Sequence, residues 1–105
     1  MSKNTTNNSL LEGVVRLIDH AESLPNFKGL APGQRPSIEY KKKYYLSIVD
    51  DNSPTLSVGD TGIIMIQLPT DALLHEGITE GDKVSLKAGA ETIGSFEIKS
   101  IIRRS

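Results

Sequence analysis

Few side chains in this sequence could act as a nucleophile, a base or a metal ligand. Its 105 residues contain no Cys and two His, His20 and His75. Without a thiolate, nucleophilic catalysis would fall to Ser or Lys served by one of those imidazoles. No Gly-x-Ser-x-Gly turn is present to present a serine. A Walker loop, Gly-x-x-x-x-Gly-Lys-Ser/Thr, is also missing, so no nucleotide is expected to bind to this chain itself. Asp50, Asp51 and Asn52 crowd three hard oxygen ligands together. An EF-hand counted from Asp50 would need Gly at its sixth position and Glu at its twelfth, and Thr55 and Thr61 stand there. Those residues are read as a solvated turn, and Asp19, His20 and Glu22 as the end of an exposed strand. No enzyme activity, metal or cofactor is expected.

The cations offer more. Residues 1–49 hold seven Lys or Arg against four acids, whereas residues 50–105 hold five against nine. The total is a formal net charge of -1, without the excess of a strongly basic nucleic-acid binder. Lys41, Lys42 and Lys43, with Lys28, Arg35, Arg103 and Arg104, could still gather into a patch for phosphates. Composition alone favours a solvated strand face and a charged C-terminus over that patch.

The elements that would position these residues are strands. A chain this long suits one domain, and 37% apolar residues suffice for one core. Residues 1–9 are polar apart from Met1 and are expected to be a disordered tail, leaving 10–105 as the domain. The tail's two Asn-x-Ser/Thr sequons are read as accidents of its composition. No apolar stretch resembles a signal peptide, and the longest apolar run, Ile63–Ile66, is too short to span a bilayer, so a cytoplasmic location away from membranes is expected.

Val14–Ile18 reads as a first strand, and residues 23–36, with three Pro and two Gly, as a long connection. Ile38, Tyr40, Tyr44, Leu46 and Ile48 recur at a period of two, broken at Lys42 by a bulge or strand end. Asp50–Pro54 reads as a turn. Gly-Asp pairs, Gly59-Asp60 and Gly81-Asp82, precede strands at 61–68 and 83–87. Gly supplies the positive φ of a tight reversal and Asp can bond nearby backbone. Ala88-Gly89-Ala90 breaks the chain before a last strand, Ile93–Ile102, with Gly94, Phe96, Ile98 and Ile102 on one face. Residues 70–77 read by propensity as one or two helical turns, with Thr70 as N-cap and Gly77 as stop. Five or six short strands point to an all-β sandwich or barrel, and closure would protect the edges of so small a sheet.

Taken in order, several segments resemble the C-terminal β-barrel domain (the third domain) of the translation elongation factor Tu family. They are Phe27-Lys28-Gly29, then Gln34-Arg35-Pro36-Ser37-Ile38, and Val58-Gly59-Asp60 before the strand Ile63–Leu68. Most specific is Val84-Ser85-Leu86-Lys87-Ala88-Gly89-Ala90-Glu91-Thr92-Ile93-Gly94-Ser95. The resemblance implies a six-stranded antiparallel closed β-barrel of Greek-key plan, with extended strand rather than helix through 70–77. It also implies docking on an RNA, tRNA by its T-stem backbone, or on a protein of the translation apparatus. Arg35 matches the family's arginine near tRNA phosphate, Lys87 matches a basic residue beside the Gly-rich turn, Gly89 and Thr92 also match, and Lys41 and Lys43 join them as candidate binding residues. Gln34 replaces an aromatic, Ala88 a Glu and Glu91 an Arg, so the scaffold is matched better than the contacts. A protein-interaction or regulatory module that has lost tRNA binding is the alternative.

Overall fold

The computed structural model describes residues 8–18 and 27–103. His20, Asp19 and Glu22 lie outside them, as do residues 1–7 of the expected tail. Nine strands and one short helix are described: β1 (Asn8–Leu17), β2 (Gly29–Leu30), β3 (Ser37–Tyr40), β4 (Lys43–Leu46), β5 (Ile48–Val49), β6 (Leu56–Ser57), β7 (Thr61–Pro69), α1 (Thr70–Glu76), β8 (Lys83–Ala88) and β9 (Glu91–Arg103). Seven strands form one antiparallel sheet in the order β4-β3-β8-β9-β1-β7-β5, and β2 pairs with β6. No described helix is long and apolar enough to cross a membrane.

β1 starts earlier than its β-branched residues suggest, inside the stretch assigned to the tail. Ser9 is fully buried there because its Oγ shares a 2.8 Å hydrogen bond with Thr70 Oγ1. β1 is paired on both sides, with β7 and with β9. Its inward residues Leu11, Val15 and Leu17 meet Ile64, Ile66, Leu68, Phe96 and Ile98 in a single core. Gly13 sits where the β1–β9 register shifts, and a Cβ there would lie 2.2 Å from the Glu97 carbonyl oxygen. Only glycine lets the two backbones approach so closely at this bend.

That shift also corrects the face pattern of the last strand. Gly13 pairs with Ile98 and Glu12 with Ser100, so Lys99 is an extra residue. The bulge reverses the alternation beyond it: Ile101 packs against the core and Ile102 is exposed.

The strand read from Ile38 to Ile48 is a hairpin instead. Lys41 and Lys42 form a two-residue turn with φ of 52° and 67°, the sign pattern of a type I′ turn. Reversal there pairs Ile38 with Tyr45, so Tyr45 packs against the core while Tyr44 and Leu46 face solvent.

The expected closed six-stranded barrel is a curled seven-stranded half-barrel. Its end strands β4 and β5 are separated in the chain only by Ser47, and β5 pairs with β7 through Ile48↔Gln67 and Val49↔Ile66. Continued in that register, β7 would next meet β4 at Pro69, opposite Leu46. Asp50 donates its N–H to the Met65 carbonyl, so the odd-numbered residues of β7 turn their backbone groups to this side. Pro69 therefore presents a missing N–H where β4 would need a donor. The chain leaves the sheet as α1, and the extended strand implied for 70–77 is overturned in favour of the helical turns that propensity indicates.

Thr70 is not the N-cap. That position is Pro69, with no side-chain cap bond. The stop at Gly77 is as expected: its φ is 69°, its N–H donates to Leu74 O, and the Ile78 N–H donates to Leu73 O at 3.1 Å. These are the two bonds of a Schellman ending.

The Gly-Asp reversals share one construction. Asp60 Oδ2 accepts from Ser57 N and Asp82 Oδ2 from Thr79 N, each at 2.9 Å. The Asp N–H returns a bond to the carbonyl of the same residue in both. Ala31–Gln34 repeats the pattern with the Gln34 amide oxygen on Ala31 N at 3.0 Å. Gly81 holds a φ of 92° at its corner. Gly81→Ala should lower unfolding free energy by about 1–2 kcal/mol in urea titrations, the cost of forcing a Cβ into positive φ. Lys42→Gly should raise it by about 0.5–1 kcal/mol by relieving the same strain.

Candidate functional site

One groove of about 500 Å³ opens where three segments meet. Phe27–Leu30 forms one wall, Gln34–Ser37 a second, and Lys87–Gly89 a third, with buried Ile93 in its lining. Of the residues singled out in the sequence, Arg35, Lys87 and Gly89 line it, joined by Lys28. Thr92 lies outside, although it pairs across the strands with Lys87. Lys41 and Lys43 also lie outside, on the β3–β4 hairpin.

The backbone around Arg35 is fixed on both sides. Before it, Gln34 O accepts from Val49 N and Gly33 N donates to Val49 O, each at 2.8 Å; after it, Pro36 O accepts from Ser47 N at 3.2 Å. Arg35 itself is exposed, free to reach an anion. Lys87 is different. Its side chain is 13% exposed and its Nζ lies 3.3 Å from Glu39 Oε1 across β8 and β3. An incoming anion would find that charge already compensated. Gly89, at φ 62°, is the first residue of the two-residue turn that joins Ala88 to its partner Glu91. Ala88 lines the groove and Glu91 does not.

A second polar cluster ties α1 to the hairpin. Tyr45 Oη donates to Glu76 Oε2, and Lys43 Nζ lies 3.3 Å from the same oxygen. The Glu76 side chain is 8% exposed. The hydrogen bond to Glu76, aided by burial and by the nearby negative charge, pushes Tyr45 up to about 12. That bond and the Lys43 ammonium hold Glu76 below its ordinary value, although burial acts the other way. No local sequence signal links Tyr45 to Glu76, which are 31 positions apart. Lys41 Nζ lies 5.3 Å from the Tyr40 ring centroid, a cation–π contact.

The turn at Asp50 is not simply solvated. Asp50 is buried, with its carboxylate accepting from Gln67 Nε2 at 2.8 Å and Asn52 N at 3.1 Å. Ser53 is buried beside it, its Oγ bonded to both N and O of Met65. Asp51 and Asn52 are exposed. His75 is exposed in the last turn of α1. Among the described residues no group of three or more His, Asp or Glu could hold a metal ion. No protein-family model matches the sequence, and no curated protein matches it.

The Tyr45–Glu76 bond gives stability a defined pH window. Glu76, lowered in the fold, contributes fully above its ordinary 4.5, and the contribution is lost as pH falls through the lower folded value. Tyr45, raised in the fold, contributes fully below 10.0, and the contribution is lost as pH climbs through about 12. Urea unfolding of wild type and Tyr45→Phe should therefore differ most between those limits, with wild type the more stable and the gap narrowing at both ends.

Proposed function

We propose that this chain is a non-catalytic binding module, similar in plan to the third domain of elongation factor Tu, that docks on the translation apparatus by holding a tRNA backbone in the groove. The observation that carries this reading is the convergence of Arg35, Lys87 and Gly89, from separate segments, on one concavity that also receives Lys28. A phosphate entering there would meet the guanidinium of exposed Arg35, suited to bidentate contact, and the ammonium of Lys28. A turn as tight as that at Gly89 can offer backbone N–H groups to an anion. The setting would be the cytoplasm, where such a partner is found.

A regulatory module that keeps the scaffold without tRNA binding is favoured by one specific feature, the Lys87–Glu39 pair at 3.3 Å. It leaves Arg35 and Lys28 to carry the attraction.

Filter binding of aminoacyl-tRNA across a salt series separates the two. Phosphate contact by Arg35 and Lys28 should give a negative slope of log K against log salt, of about one unit per phosphate neutralised. Arg35→Ala should reduce that slope by about one and weaken binding with the fold unchanged. Absence of saturable binding, or binding indifferent to Arg35→Ala, would favour the regulatory module.

A further inference from the structure

We propose that the outer face of β1 and β7 is a two-fold contact between two copies of this chain, with Glu12 of each copy opposite Arg16 of the other. This face lies away from the groove, and its test does not depend on tRNA. Strict alternation along β1 sends Leu11, Val15 and Leu17 into the core and turns Leu10, Glu12, Val14 and Arg16 outward. On β7 the same alternation turns Ile63 and Met65 out, and the register sets Met65 beside Glu12 and Ile63 beside Val14. Leu30, Leu56 and Leu73, from β2, β6 and α1, join the core on the inner side of the sheet. The outer side keeps an apolar strip: Ile63 is 60% exposed, and Ile102 on neighbouring β9 is 49% exposed. Polar groups close the strip at both ends. Asn8 Nδ2 donates to Gln67, and Gln67 to Asp50, at one end, while Arg16 stands beside Thr61 at the other.

The charges select a second copy as the occupant. Glu12 and Arg16 are four residues apart on one face, roughly 13 Å along the strand, too far to pair with each other. Neither makes an ion pair among the described residues. A second copy stacked face to face, with its β1 antiparallel about a two-fold axis at Val14, places Glu12 opposite Arg16 twice. Packed sheets lie about 10 Å apart, a gap that a glutamate and an arginine reaching from opposite sides can span. Parallel stacking would set Glu12 against Glu12 and Arg16 against Arg16, so charge fixes the orientation. Between the two pairs, Val14 and Ile63 would meet their counterparts. Glu97, beside Val14 on β9, is already compensated by Lys99 Nζ at 3.2 Å and brings no unpaired charge to the contact. Because the sheet curls around its core, its outer face is convex and the contact only a few strands wide. Association is therefore weak and concentration-dependent.

Sedimentation equilibrium of the full chain should show a mass rising from one chain toward two over a roughly hundredfold concentration range, with weaker association at higher salt. Ile63→Asp, at an exposed position, should weaken self-association about tenfold or more. Glu12→Arg and Arg16→Glu should each weaken it about tenfold, because each sets like charges against one another twice. An equimolar mixture of those two variants should associate again. The chain carrying both substitutions should self-associate as wild type does, since every pair is restored with its signs exchanged. Circular dichroism checks that each variant keeps the wild-type fold; should Glu12→Arg fail to fold, Ile63→Asp and Arg16→Glu decide. A wild-type chain that stays monomeric throughout, a dimer indifferent to Ile63→Asp or to Arg16→Glu, or a folded double variant that stays monomeric would each overturn the proposal.

Discussion

An antiparallel sheet this small can hide its edges only by curling until its first strand meets its last, and here the ladder that would complete the circle ends at Pro69. Everything on either side follows from that missing donor. β7 pairs with β5 as far as Gln67, then yields to a seven-residue helix whose Thr70, Ala72 and Leu73 are buried. The sheet keeps enough curvature to enclose one core around Phe96, with β1 paired on both flanks. It also keeps an unpaired margin along β4. The Tyr45–Glu76–Lys43 cluster bridges that margin by side chains where backbone bonds stop.

The same economy governs the polar groups. Ser9, Asp50, Ser53 and Thr70 are buried yet bonded, which is the condition for polar side chains to survive inside a small core. Three four-residue reversals use one device, a side-chain oxygen returned to the backbone N–H three residues earlier. The first of these lies next to Arg35. Rigid corners thus serve the groove as well as the fold, and the exposed guanidinium projects from backbone held by Val49.

Much of this was legible in the residues. Alternating aliphatics announced β7, β8 and the start of β9, and the Gly-Asp pairs announced their reversals because positive φ and side-chain capping are local properties. Gly77 announced the end of α1 for the same reason. What escaped was non-local. The bulge at Lys99 depends on how β9 crosses β1 at Gly13, and the Lys41-Lys42 turn places lysines where Asn or Gly is usual. Closure was inferred from the need to protect edges, but Pro69 decides the seam, and its missing N–H matters only once the register with β5 is known. At the candidate site, Arg35, Lys87 and Gly89 were found in the sequence. The pairing of Lys87 with Glu39, which weakens its attraction for an anion, emerges only when β3 lies beside β8.

The central structural claim is that β7 becomes helix at Pro69 and leaves β4 without a ladder partner there. Proton NMR of the free protein tests it most directly. Sequential amide–amide contacts should run through Thr70–Glu76, and no Hα–Hα contact should join Tyr45 to Thr70. A strong Hα–Hα cross-peak between those two residues, with extended-chain shifts through 70–76, would mean that the strand continues, the cylinder closes, and the account of both margins is wrong.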